Sequence, residues 1–183
     1  MNLIQTLALS TIASGFLYAA DGPGAPPINK TFDQQISMVE RETVSLAEAM
    51  PDDKYSFVPS GPEFKKSRTF GQQASHIAAV NFSVAAALLG EKAHDTGSDE
   101  NGPSSLKTKA DIVKYLKDSF AAAHRATAGV TTQTLNEMIK SAFGNNQVPR
   151  VSMLTVPVWH TFDHYGQMAI YARLCGVVPP ASR

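Results

Sequence analysis

Apolar residues recur at helical spacing along most of the chain. Phe32, Ile36, Val39, Leu46 and Met50 share one face of a helix that opens after Pro26-Pro27 and stops at Pro51. Phe70, Ile77, Val80, Val84 and Leu88 mark a second helix from about Thr69 to Gly90, where glycine is a natural terminator. Residues 91–105 are rich in Gly, Ser, Asp and Asn and read as an exposed loop. Thr108 and Asp111 then make a capping pair for a third helix, whose buried stripe is Ile112, Tyr115, Leu116, Phe120 and Ala123. Thr131 to Phe143 reads as a shorter helix ended by Gly144, and the last long helix runs from around Ser152 to Cys175, ahead of Gly176 and Pro179-Pro180. No segment alternates as a strand. Pro157 leaves two readings open, because a proline inside a helix loses a backbone bond and crowds the preceding turn: the helix starts near Thr155, or it kinks. Long amphipathic helices without strands bury their faces against one another, so the pattern predicts an all-α four-helix bundle with its site built from side chains on facing helices.

The N-terminus follows a different pattern. Leu3–Ala20 is mostly apolar, holds no acidic residue, ends in Ala19-Ala20 and runs into Asp21 and the turn-rich stretch GPGAPP. That is the outline of a secretory signal peptide, residues 1–20, followed by a linker at 21–28 and a single domain at 29–183. No Lys or Arg precedes the apolar run, so a membrane anchor or a buried N-terminal helix are the competing readings; Gln5, Thr6, Ser10, Thr11 and Ser14 argue against a stable span. The expectation is an exported protein, periplasmic or extracellular if bacterial. Roughly 160 residues remain, enough for one core. The only cysteine, Cys175, excludes an internal disulfide, so packing or packing plus a metal must hold the fold. Sixteen basic residues balance sixteen acidic ones without any isolated basic run, which excludes the electrostatic footprint of a nucleic-acid binder.

The candidate chemistry lies in the five histidines. His160 and His164 form H-x-x-x-H in WHTFDH, and residues four apart on a helix can turn a ring nitrogen each toward one metal ion. Two ligands hold a metal weakly, and His76, beside the apolar stripe of the second helix, is the natural third. A satisfied core histidine is the competing reading for it. His94 in the polar loop and His124 beside Arg125 read as solvated surface residues, and Asp163 points about a quarter turn away from the pair.

Two segments carry a resemblance to a known family. MPDDKYSFVPSGPEFKKSRTFGQQASHIA, residues 50–78, resembles the DinB/YfiT pattern in which a short Pro-containing loop leads into a helix bearing the first histidine. HTFDHYGQMAIYARLCGVVPP, residues 160–180, resembles that family's last helix, with the second and third histidines followed by Tyr-Gly-Gln. The similarity spans about Asn29 to Pro180; the departures are the export signal, Pro157 and the long polar loop. The resemblance implies a DinB/YfiT-like four-helix bundle with one divalent metal on His76, His160 and His164. Imidazole ligands suit Zn, Ni, Fe or Mn, and three of them leave a position open for catalysis. Gln167 and Tyr171 follow His164 by three and seven residues and are candidates for lining the pocket, with core packing the competing reading for Tyr171. Two function classes follow. One is a metal-dependent enzyme on a small-molecule substrate, a thiol S-transferase or a hydrolase, with export weighing against cytosolic thiol cofactors. The other is a non-catalytic metal or small-ligand binding module. The resemblance also implies a possible homodimer.

Overall fold

The computed structural model describes residue 24 and residues 26–183, so the expected signal peptide lies outside the described residues. Helix α1 (Ile28–Ala49) begins after Pro27 and ends against Met50-Pro51, and its stripe Phe32, Ile36, Val39 and Leu46 is buried. Helix α2 (Phe70–Leu89) starts in a capping box: the Thr69 hydroxyl accepts from the Gln72 amide, and the Gln72 side chain accepts from the Thr69 amide. It ends at Gly90, whose φ of +67° is the left-handed conformation that closes the last turn. Helix α3 (Lys109–Ala128) opens in the same way with Thr108 and Asp111. Helix α4 (Arg150–Leu174) begins two residues before the expected start and continues through Pro157, so it does not start at Thr155. Where Pro157 lacks an N–H, the Met153 carbonyl is denied its ordinary donor four residues on.

The segment expected to be a short helix, Thr131–Phe143, is not one. Thr131 and Thr134 bond each other's amides through their hydroxyls, which closes a turn. The chain then enters an antiparallel hairpin, β1 (Met138–Lys140) with β2 (Gln147–Pro149), in which Ile139 faces Val148. Three-residue strands are too short to show alternation, and the Phe143-Gly144-Asn145-Asn146 turn is what distinguishes them.

The helices are not strung up-down-up-down. Asn29 meets Ala128 and Lys109 meets Glu48 and Met50, so α1 and α3 are antiparallel. Asn81 meets Ser119 and Glu91 meets Arg125, which makes α2 and α3 parallel. Gln73 meets His164 and Leu88 meets Arg150, so α4 runs antiparallel to α2. The order is up, down, down, up, with α1 diagonal to α2, and both packed on α3 and α4. The consequence falls on the α2–α3 connection. Two parallel neighbours need a link that returns the full length of the bundle, about 30 Å for a 20-residue helix. Residues 91–108 are that link. They form a strap laid along α2, with His94 stacked on Phe82 at 4.5 Å between ring centres and Gly102 against Ser75 and Tyr115. The polar loop is therefore part of the architecture.

Covered by α3, α4 and the strap, α2 is buried almost all round, which explains its run of alanines and valines. Its own Phe70 is fully buried, and its core partners include Phe120, Ile36, Leu46 and Leu116, also fully buried. Each such side chain contributes about 1.5–3 kcal/mol by leaving water. Among the described residues, no helix is long and apolar enough to cross a membrane.

Candidate metal centre

The antiparallel pairing of α2 with α4 sets His76 opposite His160 and His164, which the i,i+4 spacing stacks on one face of α4. Each of the three offers one ring nitrogen, and these atoms lie within 4.8 Å of one another. His76 Nε2 and His160 Nε2 are 3.3 Å apart. A tetrahedral ion with bonds of about 2.0–2.1 Å separates two ligand nitrogens by about 3.3 Å, so the pair is already at ligand spacing.

The remaining ring nitrogens decide whether the set fits a metal. His76 Nδ1–H donates to the Glu100 carbonyl at 2.9 Å, and His164 Nδ1–H donates to Gln73 Oε1 at 2.6 Å. Both bonds fix the tautomer and leave Nε2 as a bare lone pair, as a ligand requires. Gln73 in turn donates through Nε2 to Gln167 Oε1 at 2.9 Å. His160 Nδ1 is buried and has no partner among the described residues, so His160 is the imidazole that the protein holds least firmly. Burial, above all, keeps the rings neutral. It pushes His160 down to about 3, aided by the charges of His164, His76 and Arg68. His164 is lowered to about 4 by burial and then His76. His76 is also lowered, by burial first, although the Glu100 carbonyl pulls the other way. Protons therefore compete poorly for these nitrogens at neutral pH. The three histidines fit a divalent ion.

The other expected residues fall differently. Gln167 is exposed and reaches the centre only through Gln73. Tyr171 is buried in the core with its ring 5.8 Å from that of Phe57. Asp163 is exposed. His124, expected at the surface, is a half-buried bridge: Nδ1 lies 2.6 Å from Asp33 Oδ1 and Nε2 lies 3.0 Å from Glu40 Oε2 on α1. Sequence reasoning missed Gln73 and Glu100. Gln73 was legible in principle, three residues before His76 and so on the same face of α2. Glu100 was not, because it acts through a backbone carbonyl on a strap whose course depends on the helix order. Asp99 and Glu100 both adopt positive φ, 53° and 56°, and this turned backbone presents the carbonyl to His76. The Glu100 carboxylate stands 3.9 Å from the same nitrogen and is partly exposed.

Comparison with solved structures shows the same fold. A DinB-like protein from Bacillus cereus is 20% identical, with a TM-score of 0.64 over 82% of this chain and 95% of that one. A conserved protein from Enterococcus faecalis gives a TM-score of 0.65 at 14% identity, over 82% of this chain and 98% of that one. YfiT from Bacillus subtilis, described as a probable metal-dependent hydrolase with an unusual four-helix bundle topology, gives 0.57 at 15% identity, over 87% of this chain and 94% of that one. No curated protein sequence matches significantly. The family model described as DinB superfamily matches residues 35–168, well over half of the chain and all three histidines. The chain belongs to the DinB superfamily.

Proposed function

We propose that the protein is a metal-dependent hydrolase acting on a small molecule, with one divalent ion held by His76, His160 and His164. The observation that carries the reading is the pair of bonds from the outer ring nitrogens of His76 and His164 to Glu100 and Gln73, which aim the inner nitrogens at a common point. A divalent ion there would supply Lewis acidity toward a substrate oxygen and a lowered pKa for attacking water. Three protein ligands leave a position open, as in catalytic rather than structural sites. The chain's own contribution is to keep the three imidazoles neutral by burial, to fix two of their tautomers, and to place the half-exposed Glu100 carboxylate within reach of a proton at the rim.

Hydrolysis is favoured over transfer to a thiol because it needs only water at the open position, whereas transfer also needs a second, thiol-bearing substrate. The export reading of residues 1–20 points the same way, since soluble thiol cofactors are mainly cytosolic. The name given to YfiT supports hydrolysis by similarity of fold only. Zn, Ni, Fe and Mn all suit the ligand set.

The test is metal content by plasma mass spectrometry of the mature domain, purified without a histidine tag, for wild type and for His76→Ala, His160→Ala and His164→Ala. Near-stoichiometric metal in the wild type and none in the variants is expected, followed by metal-dependent cleavage in an ester and amide screen. A wild type still empty after reloading with Zn, Ni and Mn overturns the metal site. Full loading with no turnover makes the bundle a binding module.

A further inference from the structure

A second concave site opens beside the histidines. A cavity of about 350 Å³ is lined by Lys65, Lys66, Arg68, Gln72, Asp99 and Asn101. Its lining residues are chain neighbours of those that hold the histidines. Gln72 adjoins Gln73, which holds His164, while Asp99 and Asn101 flank Glu100, which holds His76. The Arg68 charge is near enough to disfavour protonation of all three histidines.

Three cations face this cavity against one carboxylate, that of Asp99. Among the described residues, none of Lys65, Lys66 and Arg68 makes an ion pair. Arg68 is held in place all the same. Its Nε donates to Asn101 Oδ1 at 2.8 Å and its Nη2 to the Asp99 carbonyl at 2.9 Å, which fixes the plane of the guanidinium and leaves Nη1 without a protein acceptor. A guanidinium fixed in this way is prepared for an oxyanion, because little freedom remains to be lost on binding. The start of α2 adds little of its own. The amides of Phe70, Gly71, Gln72 and Gln73 are taken by Phe57, Tyr55 and Thr69, so recognition here belongs to side chains.

We propose that this cavity is the anion-recognition subsite of the histidine centre and that its ligand is a small molecule bearing a carboxylate or phosphate group. As a statement about substrate it rests on the hydrolase reading; as a statement about binding it does not. An oxyanion gripped by Arg68 and the two lysines places the neighbouring part of its molecule beside His76 and His160. The hydrolysed bond is accordingly one close to an anionic group.

The experiment is a titration of the metal-free protein with inorganic phosphate and, separately, with succinate, followed by amide chemical shifts. Saturable shifts confined to residues 65–72 and the strap are expected with at least one of them, and which anion binds tells the group recognised. The exposed pair change Lys65→Gln with Lys66→Gln leaves the fold untouched and should weaken binding about tenfold or more, as should Arg68→Gln. Binding should survive His160→Ala. Absence of saturable binding by either anion, equal binding by both charge variants, or loss of binding in His160→Ala overturns the subsite. Because the titration is done without metal, a failure of metal loading leaves its result standing, and a failure here leaves the metal site standing.

Discussion

Gln73 on α2 and His164 on α4 are joined by a buried 2.6 Å hydrogen bond, in which the imidazole Nδ1–H donates to the amide oxygen. The same amide donates onward to Gln167. One buried polar side chain thus ties two helices together and sets the tautomer of a histidine in the proposed metal site.

Gln73→Leu keeps much of the volume and removes the acceptor. Metal affinity should fall about 10–100-fold while the metal-free bundle stays folded. Competition against a chelator of known affinity measures it, and an unchanged affinity would show that Gln73 serves packing alone. Gln167→Ala should have a smaller effect in the same direction, because it touches Gln73 and not the histidine.

The strap is constrained where its two glycines meet. A Cβ on Gly97, which has φ of +68°, would stand 1.8 Å from the Gly102 carbonyl oxygen. Gly97→Ala should cost about 1–3 kcal/mol and weaken metal binding too, because the displaced strap carries the Glu100 carbonyl away from His76. Gly90→Ala is the control. Its φ is +67°, but nothing lies within 4 Å, so thermal unfolding should shift modestly while metal affinity stays constant.

His124 predicts a pH dependence of stability. Burial lowers its pKa, but hydrogen bonds to Asp33 and Glu40 and their charges more than reverse this, and it lies above the ordinary 6.5. The folded protein therefore holds this proton more tightly than the unfolded chain does. The resulting stability is fully present below the unfolded value and is lost as pH rises through the folded one. His124→Gln should destabilise by about 1–2 kcal/mol at pH near 6 and by clearly less at pH near 9. Denaturant unfolding at both pH values decides; an equal loss at the two would rule out the ion bridge.

Phe120 on α3 is fully buried. Phe120→Ala should cost about 3–5 kcal/mol in the same assay. Phe143, 42% exposed on the hairpin turn, should tolerate alanine within about 0.5 kcal/mol.

The amphipathic stripes, the prolines and glycines at the helix ends, and the capping pairs Thr69–Gln72 and Thr108–Asp111 are local signals, set by interactions within a turn or two of chain. They made all four long helices legible from sequence alone. The H-x-x-x-H pair was legible for the same reason, since a shared helix face is a property of spacing. Sequence patterns had less to say where structure is short or irregular. The hairpin at 138–149 has strands too short to alternate, and ahead of it Thr131 and Thr134 bond each other's amides instead of extending a helix. Tertiary structure alone decided the order of the helices, and most of the site follows from that order. Because α2 and α3 are parallel, the polar segment at 91–108 must return along α2, and only then does the Glu100 carbonyl meet His76 and Arg68 meet Asn101. Because α4 runs against α2, His76 faces His160, 84 positions away. Such contacts depend on which faces find each other in the packed bundle, and no local pattern encodes them.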